Sequence, residues 1–121
     1  MKILVVDDDK MILEAISYRL KAEGYEVITV DNGMDALKIF EKESLDLIIT
    51  DIMMPDLSGL NLVTLLREFY SHKIPVIIIS SLGKINVIYP SLKLGADDFI
   101  IKPINFQELS LSVKKYIHRA A

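Results

Sequence analysis

The chain has 121 residues, 51% of them hydrophobic and 26% charged, with a formal net charge of −3 and no cysteine. That is the size of one globular domain, expected to span residues 1–121, and its acidic balance gives no electrostatic footprint for direct nucleic-acid binding. Lack of cysteine excludes a disulfide, a thiolate nucleophile and a sulfur-held metal, and two histidines are too few for a nitrogen-rich centre, so any metal must be held mainly by oxygen.

The first apolar run, Ile3-Leu4-Val5-Val6, reads as a strand and follows Met1-Lys2 directly, with no signal-peptide pattern. A helix with Ile12, Ile16 and Leu20 on one face follows, and Gly24 stops it. Val27-Ile28-Thr29-Val30 is the second strand, and Met34, Leu37 and Phe40 line the second helix. Leu47-Ile48-Ile49-Thr50 is the third strand; the turn chemistry of Pro55-Asp56-Leu57-Ser58-Gly59 separates it from a helix striped with Leu62, Val63, Leu66 and Phe69. The fourth strand is Val76-Ile77-Ile78-Ile79. After it, Pro90 argues against a helix beginning near Lys84, so the expectation is a short helix starting near Pro90, with residues 83–89 irregular or loosely helical. Phe99-Ile100-Ile101 is the fifth strand, and Asn105 with Glu108 opens a last helix carrying Phe106, Leu109, Val113, Tyr116 and Ile117. Alternating strands and helices, with the central strands continuously apolar, predict a doubly wound α/β fold: a five-stranded parallel sheet with helices on both faces. No apolar run is long enough to span a bilayer, so no membrane partner and a cytoplasmic location are expected.

In such sheets ligands sit beyond the carboxyl ends of the strands. Asp7-Asp8-Asp9 follows the first strand, Asp51 the third, Ser80 the fourth and Lys102 the fifth. Taken singly, each has a plainer reading: a solvated turn or helix cap for the acids, which is what Asp9 is expected to be, backbone satisfaction for Ser80, and a surface lysine for Lys102. Together they predict convergence on one edge. Carboxylates about 5 Å apart repel by roughly 3 kcal/mol per pair at an effective dielectric near 20, so the cluster is not built for stability. Three carboxylates and one ammonium invite a divalent cation, and oxygen ligands suit Mg2+ or Mn2+. Such an ion can assist in-line phosphoryl transfer to one of the carboxylates.

These residues resemble the receiver domains of two-component response regulators, over essentially the whole chain. The resemblance is carried by Ile3-Leu4-Val5-Val6-Asp7-Asp8-Asp9, by Asp51-Ile52-Met53-Met54-Pro55-Asp56-Leu57-Ser58-Gly59, by Pro75-Val76-Ile77-Ile78-Ile79-Ser80-Ser81, and by Gly95-Ala96-Asp97-Asp98-Phe99-Ile100-Ile101-Lys102-Pro103. It implies a flavodoxin-like strand order 2-1-3-4-5. It also implies a signalling switch in which Asp51 accepts a phosphoryl group from a sensor histidine kinase or histidine phosphotransfer protein. Asp8, Asp51 and the carbonyl of Met53 would then bind Mg2+, Asp7 would act through a coordinated water, and Lys102 would pair with a phosphoryl oxygen. Ser80 and Phe99 would form the switch, changing the surface around the fourth helix, fifth strand and fifth helix to control an effector domain or partner protein. Phe99 on the plainer reading is simply core. The family often has a cis bond before the matching proline, whereas the sequence alone favours trans for Lys102-Pro103.

Ser80 stands where threonine is frequent, Phe99 where tyrosine is frequent, and Ile104 where phenylalanine usually follows Lys-Pro. The apolar stretch Ile85, Val87, Ile88 and Tyr89 replaces residues often charged in relatives and, if partly exposed, would offer a partner or homodimer surface. Three other functions compete. An aspartate-nucleophile phosphatase would carry its nucleophile on the first strand and need a cap; a flavin-binding protein would need a phosphate loop after the first strand; a degenerate receiver would lack one of the acids, Ser80 or Lys102.

Overall fold

The computed structural model describes residues 1–81 and 85–118, apart from the side chains of 85 and 86. Five strands and five helices alternate: β1 (Lys2–Val6), α1 (Lys10–Ala22), β2 (Glu26–Val30), α2 (Gly33–Lys42), β3 (Leu47–Asp51), α3 (Gly59–Phe69), β4 (Val76–Ser80), α4 (Ile85–Lys93), β5 (Asp98–Ile101) and α5 (Phe106–Ile117). The sheet is parallel throughout, in the order β2-β1-β3-β4-β5. The order reverses at β1, so a crevice opens between the carboxyl ends of β1 and β3.

Alternate side chains along each strand feed two cores. Ile3, Val5, Ile49, Ile77, Ile79 and Ile100 meet Leu13, Ile16 and Leu20 of α1 and Leu109, Val113 and Ile117 of α5. On the other face Leu4, Val6, Ile48 and Ile78 meet Ala36 of α2 and Leu62, Val63 and Leu66 of α3, with Val87 of α4 packed against them. All five positions of β3 and of β4 are buried, which explains their unbroken apolar runs. Each fully buried isoleucine contributes about 1.5–3 kcal/mol relative to exposure. These two strands are therefore the rigid base on which the site stands.

The helix starts are capped by side chains: Asp9 for α1, Asn32 for α2, Ser58 for α3 and Asn105 for α5. Gly24, at φ +97°, supplies the left-handed turn after α1. Among the described residues no helix is long and apolar enough to cross a membrane.

Four local expectations need correction. Helix α4 starts at Ile85 rather than near Pro90, with the proline inside it. The stretch expected to be irregular or loosely helical is helical from 85 onward, while 83–84 lie outside the described residues. Pro90 removes one backbone donor, but Ser91 Oγ donates to the Val87 carbonyl at 2.7 Å and Leu94 N donates to the Pro90 carbonyl at 3.0 Å. Burial of Ser91 and packing of Val87 against the sheet outweigh the local preference of proline. Met34 and Phe69 point outward, 53% and 69% exposed, because Ala36 and Leu66 occupy the inward positions of their helices. The Lys102-Pro103 bond is cis; the intrinsic preference for trans is only about 0.5–1 kcal/mol, too small for sequence to decide. In the apolar stretch of α4, Val87 and Ile88 are half-buried and Tyr89 is exposed, while the side chain of 85 is not described.

Candidate functional site

The strand register fixes where the site residues stand. Val6 pairs with Thr50, Asp51 with Ile79 and Ser80 with Ile101, so Asp7, Asp51, Ser80 and Lys102 emerge along the same edge of four adjacent strands. Backbone bonds hold these ends: Asp7 N donates to the Val30 carbonyl at 3.2 Å and Lys102 N to the Ser80 carbonyl at 2.8 Å. Carboxylate oxygens of Asp7, Asp8 and Asp51 gather within 4.8 Å of one another, which is the expected convergence. Asp7 and Asp51 are buried, whereas Asp8 is exposed. Asp9 turns away and caps α1, its Oδ1 accepting from Met11 N at 2.9 Å and Ile12 N at 3.4 Å.

One ammonium serves two of the acids. Lys102 Nζ lies 2.9 Å from Asp7 Oδ2 and 3.3 Å from Asp51 Oδ2. The other oxygens take backbone donors, Asp9 N on Asp7 Oδ1 at 2.9 Å and Ile52 N on Asp51 Oδ1 at 2.8 Å. Asp7 Oδ2 is buried, and the lysine contact is an ion pair without hydrogen-bond alignment; this oxygen accepts no hydrogen bond from any described residue. Burial, followed by the repulsion of Asp7, pushes the Asp51 carboxyl above its usual range, against the opposing pull of Lys102. For Lys102, burial acts against the charge, but pairing with Asp7 and Asp51 prevails and holds its ammonium above the ordinary lysine value.

This donor set fits a hard divalent cation. All candidate groups are oxygens, a buried carboxylate oxygen lacks a hydrogen-bond donor, and the net charge of the cluster is negative. Met53, the expected carbonyl ligand, lies in the loop between β3 and α3 with its side chain 61% exposed. Ser80 is fully buried at the end of β4. Phe99 is half-buried on β5, packed against the core that faces α2 and α3.

Two residues that shape the surroundings were not singled out in sequence. Asp56, read as turn chemistry, reaches across to α2: its Oδ1 accepts from Gly33 N at 3.2 Å and its Oδ2 from Met34 N at 3.0 Å. Arg67, nearly buried on α3, donates to the carbonyls of Ile74 at 2.6 Å and Gly95 at 2.7 Å and pairs with Asp97 at 3.3 Å. The signals for both are long-range, and neither has a local pattern.

Comparison with known proteins agrees with this geometry. A family model described as the response regulator receiver domain matches residues 3–114. The probable transcriptional regulator ycf27 of Porphyra purpurea is 40% identical over 119 residues, covering 98% of this chain but 48% of that protein, so the chain spans about half the length of the curated relatives it matches. The receiver domain of Francisella response regulator 1452 superposes with a TM-score of 0.94 at 34% identity, over 99% of this chain and 98% of that one. Response regulator TrrA of Thermotoga maritima, solved in complex with Mg2+-BeF, gives 0.86 at 37% identity, over 95% and 97% of the two chains. With five parallel strands in the order 2-1-3-4-5 and an acidic pocket of Asp7, Asp8 and Asp51, the chain belongs to the response regulator receiver domain family, phosphoacceptor switches of two-component signalling rather than enzymes acting on an external substrate.

Proposed function

We propose that residues 1–121 form one receiver domain in which Asp51 takes a phosphoryl group from a histidine of a sensor kinase or phosphotransfer protein in the cytoplasm. The observation that carries this reading is the gathering of three carboxylates within 4.8 Å, with a single ammonium shared between the two buried ones. An Asp51 oxygen forms a bond to phosphorus while the phosphorus–nitrogen bond of the donor breaks and the imidazole leaves, giving an acyl phosphate. Asp8, Asp51 and the Met53 carbonyl would hold Mg2+, with Asp7 acting through water, and Mn2+ could take its place. Bound there, the ion would supply positive charge against the phosphoryl oxygens during in-line transfer. Lys102 stays within reach of both carboxylates and pairs with a phosphoryl oxygen once one is present. The Mg2+-BeF complex of the Thermotoga maritima relative supports the same chemistry here.

Ser80 and Phe99 then form the switch, the hydroxyl turning toward the phosphoryl group and the ring adjusting beside it. The face formed by α4, β5 and α5 changes and controls an effector domain or partner protein. That face, with Leu92, Ile101 and Leu111 exposed, also suits a homodimer. At a net charge of −3 the domain itself has no direct nucleic-acid role.

Incubation with acetyl phosphate and Mg2+ followed by intact mass measurement tests the acceptor. The wild type is expected to gain one phosphoryl group and Asp51→Asn none; equal labelling of both would remove Asp51 from the role.

A further inference from the structure

We infer that Asp56 is a positioning residue for the cation site, clamping the loop that leaves Asp51 onto the start of α2. The first four N–H groups of that helix have no partners within it. Here Asp56 takes those of Gly33 and Met34 and Asn32 Oδ1 takes that of Asp35 at 2.8 Å, and the regular helical ladder begins with Ala36 N on the Asn32 carbonyl at 3.3 Å. The same Asp56 Oδ1 also accepts from Leu57 N at 2.8 Å, so one carboxylate closes its own turn and joins it to a second element.

The clamp is tight on both sides. A Cβ added at Gly33 would stand 2.7 Å from Leu57 Cβ, so the helix start and the loop are in direct contact beside the carboxylate. At its other end the loop is held by Gly59 N donating to the Ile52 carbonyl at 2.9 Å, with Ile52 N on Asp51 Oδ1. Between these anchors lies Met53. With the ends fixed, the position of its carbonyl depends on the central tie, which is Asp56. The partial positive charge at the helix start strengthens that tie and keeps the Asp56 carboxyl ionised, since the Met34 N–H and its other backbone donors hold it below the usual range.

This inference rests on the proposed cation set, and its test separates the two. Mg2+ affinity of the full chain is measured by titration calorimetry, with the Mg2+ dependence of acetyl phosphate labelling alongside, for wild type, Asp56→Ala, Asp56→Asn and Asn32→Ala. Asp56→Ala is expected to weaken Mg2+ binding by about tenfold, as loss of an outer-shell partner does, and to recover labelling when Mg2+ is raised by the same factor. Asp56→Asn, which keeps one acceptor oxygen, falls between. Asn32→Ala removes the other cap of the same helix without touching the loop, and should lower stability while leaving Mg2+ affinity at the wild-type value. Wild-type affinity in both Asp56 variants, or an equal loss in Asn32→Ala, overturns the clamp. If Asp56→Ala does not fold, Asp56→Asn against Asn32→Ala decides by the same criterion. A wild type that binds Mg2+ but takes no label refutes the proposed function, while the calorimetry still reads the clamp.

Discussion

Replacing Asp51 by asparagine should stabilise the cation-free protein and reverse that advantage when Mg2+ is present. Charges within 4.8 Å of one another, as in the acid cluster, repel by about 3.5 kcal/mol or more at an effective dielectric of 20, and the Lys102 contact at 3.3 Å returns about 5 kcal/mol. Repulsion from exposed Asp8 is smaller because solvent screens it. The charge terms therefore nearly cancel, and the cost of removing the Asp51 carboxylate from water, several kcal/mol for a buried ion, is left incompletely compensated. Asparagine keeps an acceptor for Ile52 N and avoids most of that cost. A gain of about 1–2 kcal/mol is expected, or about 4–8 °C in melting temperature for a domain of this size.

The sign follows from the raised Asp51 carboxyl. An acid whose folded pKa exceeds its unfolded one destabilises the fold above the folded value, and the penalty disappears below the unfolded value. The gap between wild type and Asp51→Asn should thus be widest at neutral pH and close as pH falls below about 4. With Mg2+ at one hundred times its dissociation constant the wild type gains about 2.7 kcal/mol, whereas the variant, missing a ligand, gains less. Urea unfolding followed by far-UV circular dichroism, in EDTA and in Mg2+ at pH 7 and pH 4, measures all four corners. An Asp51→Asn protein less stable than wild type in EDTA at pH 7 would show that Lys102 overcompensates the cluster, and the electrostatic reasoning would fall.

Lys102→Ala should fold and bind Mg2+ about tenfold tighter, since a competing cation is gone, yet label far more slowly with acetyl phosphate; unchanged labelling would relieve Lys102 of its role. Gly59→Ala should cost about 3 kcal/mol or more in urea, because the new Cβ would overlap the Asp51 carbonyl oxygen and crowd Asp51 C at 2.8 Å and Ile52 Cα at 3.0 Å, all backbone rather than a movable side chain. A wild-type midpoint would contradict the packing of α3 against the end of β3. Arg67→Met should cost about 2–4 kcal/mol by leaving the carbonyls of Ile74 and Gly95 without their donor, and hydrogen exchange should quicken at the start of β5; protection equal to wild type would mean other donors replace the guanidinium.

Much of this molecule is legible in the sequence because its strongest signals are local. Runs such as Ile77-Ile78-Ile79 are apolar on both sides since both sheet faces are covered, and Asp7, Asp51, Ser80 and Lys102 stand at strand ends where a parallel sheet must bring them together. What escaped has its cause elsewhere in the chain. The local preference of Pro90 points to a helix start, but the sheet beneath Val87 and Ser91 decides where α4 begins. Met34 has the right spacing for an inward face, and only the position of Ala36 against the core shows that it lies outside. The reach of Asp56 spans 23 positions to Gly33 and that of Arg67 spans 28 to Gly95, separations at which a single sequence carries no pattern.

The pairing of Asp51 with Ile79 and of Ser80 with Ile101 carries a consequence for tolerance to insertion. Successive side chains on a strand face opposite ways, so lengthening β3 by one residue ahead of the acceptor would rotate its carboxylate toward a helix layer and bring Thr50 or the inserted residue to the rim in its place. Every chemical group would still be encoded, yet none could cooperate. Signalling competence in this fold is thereby tied to counting: the chain can vary in many loops, but the spacing within its central strands must be kept to the residue.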